Sequence, residues 1–325
     1  MTKICIFGAG AIGGYVGARL ALKGEADVSL VARGPHLAAM KANGLTLKQA
    51  GEIQVVRPKV TDDPRQLGVQ DFIILTLKAH GVAGVLDQMQ PLIGKDTAIL
   101  FAQNGIPWWY FHGAGGAYEG RTLESVDPGG TIWKRLRPER ALGSVVWQAA
   151  EIEAPGVVAH HFGDRMPIGE PTGETSERAG SLSRILTSAG VKSPVRPNLR
   201  NEIWLKLWGN LSFNPVSVLT EGTLIDLATD PGTRRVIRGM MEEAQRVGEA
   251  LGVSFAVGVD ERMDMAAKVG AHRTSMLQDV EAGRPTELDA LLGVVIELAG
   301  IVGMDAPSLK LVYDLVKFRA RVKSA

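Results

Sequence analysis

Short apolar runs alternate with amphipathic stretches through the first third of the chain. Buried strands are predicted at residues 3–7, 27–31, 72–77 and 97–101, and helices at residues 12–23, 36–42 and 82–89. Strands that alternate with helices in this way are typical of parallel βαβ units. The pattern therefore predicts an α/β domain, built on a Rossmann-type doubly wound sheet, in the N-terminal part of the chain.

The alternation stops at residues 106–139, which predict a long insertion leaving the sheet. The insertion opens with four aromatic residues, Trp108, Trp109, Tyr110 and Phe111, and continues through a glycine-rich tract. Four exposed aromatic side chains would form a large apolar patch on a monomer. We therefore expect them to be covered, either by the second domain of the same chain or by the partner subunit of a homodimer.

The pattern changes again near residue 197. Strands are predicted before it at residues 142–148, 157–161, 165–168 and 191–195, with a helix at 176–188. Helices follow it at residues 199–227, 231–251, 259–270, 287–303 and 307–323, with a shorter turn at 275–282. The sequence thus predicts two domains: residues 1–197, which include the insertion, and an all-α domain at residues 198–325.

Composition excludes several classes of protein. Lys and Arg total 36 and Asp and Glu total 35, so the formal net charge of +1 provides no basic field for nucleic acid or anionic lipid. The single cysteine, Cys5, cannot form an intramolecular disulfide, and no signal peptide is visible, so a cytoplasmic protein is expected. No pattern typical of a metal site is present.

A glycine-rich loop directly follows the first predicted strand and opens a helix. It reads Gly8, Ala9, Gly10, Ala11, Ile12, Gly13. In this context the first glycine permits a tight turn, the second lets the backbone approach a pyrophosphate, and the third lets helix and strand pack closely. The free N–H groups of the helix N-terminus favour the phosphates. The loop predicts a dinucleotide cofactor.

Two basic residues at strand ends refine the cofactor prediction. Arg33 stands at the end of the second strand, where an NAD enzyme usually has an acidic residue for the ribose 2′-hydroxyl. A guanidinium can instead pair with a 2′-phosphate, which indicates NADP(H). Lys78 follows the strand at 72–77, at an edge where α/β sites assemble, although an exposed lysine in a loop explains its position nearly as well.

A line of polar residues runs along one predicted apolar helix. Lys206, Asn210 and Asn214 are spaced four residues apart, so they share one face. Because the rest of the helix is strongly apolar, this line should meet partners or line a cavity, unless it simply faces water. Two later stretches, which begin at Ser275 and at Thr286, each match a helix capping box. In the second stretch, Glu287 would be an acidic residue in the first turn of a helix.

These motifs, taken in order, resemble the ketopantoate reductase (2-dehydropantoate 2-reductase) family over nearly the whole chain. They are GAGAIGG, the LKAH that includes Lys78, the Gln-Asn-Gly at 103–105, the Lys206 helix, and the late SMLQD and TELD stretches. The resemblance implies a Rossmann domain, a helical domain, and NADPH-dependent reduction of a 2-oxo acid, ketopantoate, to pantoate on the route to coenzyme A.

The resemblance also implies roles for individual residues. Lys206 corresponds to the catalytic lysine that protonates the nascent alkoxide. Substrate-binding positions are matched by Asn210, Asn214 and Ser275. Asn104 corresponds to the asparagine where substrate and nicotinamide meet, and Glu287 to a glutamate that contacts the cofactor near the lysine.

Two other functions compete with this interpretation. A paralogous NADPH-dependent reductase would act on another branched 2-oxo acid or ketone, because residues 106–139 and 220–224 depart from the family pattern. A non-catalytic NADP-binding regulator would use the cofactor as a signal, but it would not need the proton donor Lys206.

Overall fold

The computed structural model describes residues 1–324, which divide into two compact units. Unit 1 contains Met1–Gln103, Trp109–Thr122 and Gly130–Leu199. Unit 2 contains Asn104–Trp108, Leu123–Gly129 and the chain from Arg200 onward. Two pieces of the insertion therefore belong to unit 2, whereas the sequence analysis placed the whole insertion in the first domain.

Unit 1 is built on a seven-stranded sheet. The strands of the whole unit, which also contains a smaller sheet, are β1 (Thr2–Phe7), β2 (Ala26–Val31), β3 (Leu45–Gln49), β4 (Glu52–Val56), β5 (Lys59–Thr61), β6 (Gln70–Leu75), β7 (Ile93–Phe101), β8 (Ala141–Ser144), β9 (Ala149–Ala154), β10 (Val157–Phe162) and β11 (Ile168–Gly169). Its helices are α1 (Ala11–Lys23), α2 (Gly34–Asn43), α3 (Leu86–Met89), α4 (Thr131–Leu136) and α5 (Glu177–Ser188). The large sheet has the order β11-β8-β7-β6-β1-β2-β5, and only β11 runs antiparallel to its neighbour. The predicted Rossmann-type α/β fold is confirmed.

A second, four-stranded sheet of order β4-β3-β10-β9 completes unit 1. Helix α1 packs against strands of both sheets, and the ring of Tyr15 on α1 stacks on His160 of β10 with centroids 4.4 Å apart. Strands β3, β4, β5 and β9 are absent from the sequence-based prediction. The solvent-facing side of β4 exposes Ile53 and Val55, so its pattern lacks the apolar-in, polar-out contrast that marks a strand.

Three other predicted elements of unit 1 are shorter than expected. The strand predicted at 142–148 ends at Ser144, and the helix predicted at 82–89 is an α-helix only from Leu86. The strand predicted at 191–195 forms only isolated bridges, from Lys192 to Arg165 and from Val195 to Ile168. The apolar residues of these segments are buried in the core, but their backbones do not form a continuous row of β-sheet hydrogen bonds or of helical turns.

Unit 2 is helical. Its helices are α6 (Leu199–Thr220, whose first residue belongs to unit 1), α7 (Leu224–Thr229), α8 (Pro231–Ala250), α9 (Val259–Ala267), α10 (Ser275–Glu281), α11 (Val294–Ile301) and α12 (Pro307–Ser324). A π-helical segment, Asp289–Gly293, precedes α11. The single helix predicted at 199–227 is wrong, because Glu221 takes a left-handed conformation with φ 62°. The chain turns there and restarts at Thr223, whose N–H donates to Asp226 Oδ2 at 2.9 Å.

The aromatic run of the insertion is buried within a single chain. Trp108, Trp109, Tyr110 and Phe111 are each at most 3% exposed. Within unit 1, the rings of Tyr110 and Phe111 pack edge to face at 5.1 Å, and Phe111 lies 5.6 Å from the ring of Tyr118. A partner subunit is therefore not needed to cover these side chains.

One buried carboxylate of unit 2 accepts the free N–H groups at the start of a helix. The carboxylate of Glu243 on α8 accepts the N–H groups of Ser308 and Leu309 at 3.0 Å each, and so caps the start of α12.

None of the helices in residues 1–324 combines the length and the apolarity needed to cross a membrane. Over the same residues, no group of three or more His, Cys, Asp or Glu side chains could hold a metal ion.

Candidate active site

The glycine loop lies between β1 and α1 in unit 1, and its backbone is held by β2. The N–H groups of Gly8 and Ala9 donate to the backbone oxygen of Val31 at 3.2 and 2.9 Å. Gly8 has φ 105°, a conformation that side chains disfavour. At Gly13 a Cβ atom would lie 2.3 Å from the oxygen of Gly8, so only glycine lets α1 approach the strand. The first and third glycines are therefore required by the turn and the packing.

The middle glycine differs from the other two. A Cβ atom at Gly10 would meet no atom of the protein within 4 Å, and no side chain caps the N-terminus of α1 that follows. The N–H groups of the first turn of a helix attract phosphate groups. An open backbone surface at this place fits the pyrophosphate of a dinucleotide, which a side chain at residue 10 would obstruct.

The residue expected to select the cofactor, Arg33, is placed next to the start of a helix. It is exposed at the end of β2 and forms the N-cap of α2, which begins at Gly34, two residues before the predicted start. The guanidinium and the helix N-terminus both favour an anion. Lys78 follows β6, which ends at Leu75, and it precedes a short 3₁₀ turn. No acidic side chain is present at 31–33, so the residues fit NADP(H) better than NAD(H).

Three polar side chains form a connected cluster in unit 2. Lys206 Nζ donates to Asn104 Oδ1 at 2.7 Å, and Asn104 Nδ2 donates to Glu287 Oε2 at 3.2 Å. An ionised carboxylate only accepts hydrogen bonds, so Glu287 holds the amide with its NH₂ toward itself and its oxygen toward Lys206. Lys206 lies on α6, Asn104 lies in the loop after β7, and Glu287 precedes the π-helical segment. Asn104 and Glu287 are 183 positions apart in the sequence.

The environment of Lys206 changes its acidity. Burial lowers the pKa of the Lys206 ammonium from 10.5 to about 8, and the nearby negative charge of Glu287 partly opposes that shift. A lysine with such a pKa is protonated at neutral pH and gives up its proton more readily than an exposed lysine. The cluster can therefore deliver a proton to a basic oxygen placed next to Nζ.

A close backbone contact sets the position of Asn104. Gly105 has φ 90°, and a Cβ atom there would lie 2.1 Å from the backbone oxygen of Ala290. The N–H of Ile106 donates to the same oxygen at 3.1 Å. The loop after β7 thus rests on the π-helical segment that follows Glu287. The sequence analysis noted the Gln-Asn-Gly motif but missed this contact, for which only the glycine itself was a signal.

The other predicted substrate-binding residues extend from Lys206 along α6. Asn210 and Asn214 follow it by one and two turns, and no hydrogen bond within residues 1–324 engages either side-chain amide. Pro215 stands inside the helix, so the backbone oxygen of Leu211 lacks its usual helical donor. Because no hydrogen bond engages the side-chain amides of Asn210 and Asn214, both amides are available to a ligand beside Lys206.

Ser275 lies at the first residue of α10 and is exposed. The capping box predicted to start at Ser275 is wrong, because Thr274 is the N-cap and its hydroxyl accepts the N–H of Leu277 at 3.3 Å. Thr274 also bonds Ser217 of α6 at 2.5 Å, and the Ser217 hydroxyl donates to the backbone oxygen of Asn214 at 2.7 Å. Ser275 is thereby tied to α6 near Asn214. The Thr286 side chain forms no capping hydrogen bond within residues 1–324, and the helical segment after it starts with the bond from Leu291 N–H to the oxygen of Glu287 at 3.0 Å.

Two family profiles match the chain. Ketopantoate reductase PanE/ApbA matches residues 4–109, and its C-terminal counterpart matches residues 198–320. A 2-dehydropantoate 2-reductase of Mesorhizobium japonicum is 52% identical over 315 residues, which cover 97% of each chain. The chain belongs to the ketopantoate reductase family. The family resemblance drawn from the motifs is confirmed.

Solved structures of the family share the fold over the whole length. A structure from Ralstonia solanacearum has a TM-score of 0.94 and 37% sequence identity, and the match covers 99% of both chains. A PanE/ApbA family ketopantoate reductase from Ralstonia eutropha has a TM-score of 0.85 and 26% identity over 100% of both chains. The arrangement of a mixed α/β unit followed by a helical unit is therefore that of the family.

Proposed function

We propose that this protein reduces ketopantoate to pantoate with NADPH. The observation that carries the proposal is the Lys206–Asn104–Glu287 cluster, in which a buried ammonium is oriented by an amide and a carboxylate. Membership of the ketopantoate reductase family, with a named relative 52% identical over 97% of the chain, supports the reaction and an NADP-dependent oxidoreductase.

NADPH is held, in this proposal, by residues of unit 1. The backbone of residues 8–13 receives the pyrophosphate, Gly10 leaves the space for it, and Arg33 pairs with the 2′-phosphate. Lys78 supplies a further positive charge at the edge of the sheet where β6 ends. The family resemblance also assigns Asn104 and Glu287, which belong to unit 2, to the cofactor. Bound NADPH supplies the hydride.

Lys206 acts on the oxygen of the substrate. When hydride adds to the oxo carbon, the electron pair of the C=O bond moves to oxygen, where negative charge develops. The ammonium stabilises that charge and gives the oxygen a proton, which yields the hydroxyl of pantoate. Asn104 fixes the position of Lys206 Nζ by accepting a hydrogen bond from it. Glu287 fixes the orientation of the Asn104 amide by accepting a hydrogen bond from its NH₂ group.

Asn210, Asn214 and Ser275 bind the remaining polar groups of the substrate. Both amides lie on the Lys206 side of α6 and can pair with a hydroxyl or carboxylate oxygen. Residues 220–224, which depart from the family pattern, end α6 and start α7. A paralogous activity on another branched 2-oxo acid is the alternative that this departure favours.

A panel of 2-oxo acids tests the proposal. The purified protein is mixed with NADPH and each acid, and the loss of NADPH absorbance is followed. Ketopantoate should give the highest kcat/KM. A higher kcat/KM with another branched acid would establish the paralogous reductase, and no oxidation with any acid would establish the non-catalytic regulator.

The cytoplasmic location and the homodimer stay predictions. Since the aromatic run is buried within one chain, a homodimer would have to use another surface. Light scattering of the pure protein decides the oligomeric state.

A further inference from the structure

Four large apolar residues form a stripe along the exposed face of α12. This α12 stripe consists of Leu311, Leu315, Phe318 and Val322, which are 63%, 47%, 57% and 58% exposed. Their spacing of four, three and four residues is that of the a and d positions of a coiled coil. At about 100° per residue, all four lie within an arc of about 60°. Single exposed apolar residues are ordinary on a protein surface, whereas a contiguous set marks an interaction surface.

The opposite face of α12 is already buried in its own unit. Leu309, Val312 and Val316 are at most 4% exposed. The hydroxyl of Tyr313 donates to Asp289 Oδ1 at 2.5 Å and so fixes the rotation of the helix about its axis. Turning α12 to bury the α12 stripe would expose this packed face instead. The α12 stripe is therefore a fixed surface that is left for a second molecule to cover.

Two charged residues flank the α12 stripe on one side. Asp314 and Arg321 lie about 70° and 90° from its centre, in the same direction around the helix. Within residues 1–324 neither of them forms an ion pair, whereas Lys310 of the same helix pairs with Asp305. The guanidinium of Arg321 lies over the ring of Phe318, 5.4 Å from its centroid, and so borders the apolar surface directly.

A second copy of α12 complements this arrangement when it runs antiparallel. A twofold axis perpendicular to the helices, midway between residues 316 and 317, places the two ends of the α12 stripe opposite each other. The same axis places Leu315 opposite the partner's Phe318. It also brings Asp314 beside the partner's Arg321, with an offset of about 3 Å along the helix axis. An axis parallel to the helices would put the charged sides of the two copies on opposite edges, where they could not pair.

We propose that this protein forms a homodimer in which the α12 helices of two copies pack antiparallel. The two stripes bury each other, and the twofold symmetry makes the contact between Asp314 and Arg321 twice. The α12 stripe is about 17 Å long, so this contact alone buries less than the about 800 Å² per partner of a standard interface. A Kd in the micromolar range is therefore expected. The dimer is independent of the proposed reaction, because no residue of the Lys206 cluster or of the glycine loop takes part in it.

Sedimentation equilibrium from about 0.1 to about 100 µM protein tests the dimer. Wild type should pass from monomer to dimer within this range. Leu315→Glu and Phe318→Glu each place a charge at the centre of the apolar surface and should raise the Kd more than about tenfold. Met265→Glu is the matched control, since Met265 is an apolar residue of α9 that is 44% exposed, and it should leave the Kd unchanged. Circular dichroism checks that all variants are folded.

Charge reversal tests the pairing of the flanking residues. Asp314→Arg and Arg321→Asp should each raise the Kd about 3- to 30-fold, because each creates two contacts between like charges. The double variant Asp314→Arg/Arg321→Asp exchanges the two charges and should restore the affinity of wild type.

Disulfide trapping tests the antiparallel direction by a separate readout. A mixture of Leu311→Cys and Val322→Cys should form a cross-linked heterodimer under oxidation with copper phenanthroline, while neither variant alone should cross-link. The native Cys5 is buried and does not compete. Cross-linking of each variant with itself would overturn the antiparallel arrangement.

Two other results would overturn the proposal as a whole. One is a protein that stays monomeric at about 100 µM, and the other is a dimer that Leu315→Glu and Phe318→Glu leave intact. If the monomer instead binds phosphatidylserine vesicles and Leu315→Glu abolishes that binding, the α12 stripe faces a lipid surface and not a second copy.

Discussion

The glycine loop of unit 1 and the lysine cluster of unit 2 are built in opposite ways. The loop uses six consecutive residues and its own backbone, and its glycines matter for the side chains they lack. The cluster uses three charged or amide side chains, with Asn104 and Glu287 separated by 183 positions. A backbone site is specified locally, whereas a side-chain site depends on how distant elements meet. Changes in the two regions should therefore affect different measurements.

The largest effect is expected from Lys206→Ala. The ammonium acts where oxygen gains charge, so kcat should fall about 10²- to 10⁴-fold while the Kd of NADPH stays within twofold. Stopped-flow turnover and NADPH fluorescence titration measure the two quantities. Lys310→Ala is the matched control, since Lys310 is an exposed lysine of unit 2 paired with Asp305. A near-normal kcat in Lys206→Ala would remove the cluster from catalysis.

Arg33→Ala tests the other region. Loss of a charge-assisted contact to the 2′-phosphate should cost about 1.5–3 kcal/mol of NADPH binding and leave NADH unchanged. The ratio of kcat/KM for the two cofactors reports the effect, and kcat at saturation should hold. Arg65→Ala, at an exposed arginine paired with Asp63, provides the control. Equal use of both cofactors by wild type would contradict the role of Arg33.

Two alanine substitutions in the glycine loop should separate folding from binding. At Gly13 the new methyl group meets the oxygen of Gly8, so the free energy of unfolding should drop by about 1–3 kcal/mol. At Gly10 the methyl group enters open space at φ −74°, so stability should change by less than about 0.5 kcal/mol. NADPH affinity should nevertheless fall about 5- to 100-fold in Gly10→Ala, because the clash arises only with cofactor. Denaturant melts and NADPH titrations measure both, and identical behaviour of the two variants would refute the assignment of Gly10.

The smallest effect concerns pH. The proton donor must be protonated, so kcat should be flat at low pH and fall as pH rises through about 8, the pKa of Lys206. Glu287 raises that pKa by its negative charge, so Glu287→Gln should move the fall in kcat to lower pH. The pH profile of kcat at saturating substrate measures the shift. An unchanged profile would show that Glu287 does not act on Lys206.

Much of unit 1 could be predicted from the sequence because its central strands are buried on both faces. Residues such as Ile4, Ile74 and Leu100 are fully buried and form continuous apolar runs. The glycine loop could be found from the sequence for a different reason: all the residues that form it, 8–13, are consecutive. Strands β3 and β4 escaped detection because a short strand with apolar residues on its exposed face carries no clear period of two.

In unit 2 the line Lys206, Asn210, Asn214 was visible because helical spacing alone places the three residues on one face. The packing of Arg262 on α6, where its Nε donates to the backbone oxygen of Leu205, was not visible, since nothing around residue 262 indicates which distant helix it contacts. The turn at Glu221 was missed because apolar residues resume at Leu224, after the four residues 220–223. The contact that fixes the new direction is distant: Leu224 N–H donates to the oxygen of His272 at 3.0 Å. Local sequence patterns indicate where helices and strands lie, but they do not indicate the long-range contacts that end them.

The π-helical segment Asp289–Gly293 amounts to one surplus residue in an otherwise ordinary helix. The N–H of Val294 bonds the oxygen of Asp289, five residues back, instead of four. Deleting one residue of the segment would restore regular winding and rotate everything before it by about 100° relative to α11. Glu287 would then point away from Asn104 although its chemistry is untouched. A single insertion or deletion within 289–293 would thus break the contact between Glu287 and Asn104 without changing any residue of the cluster.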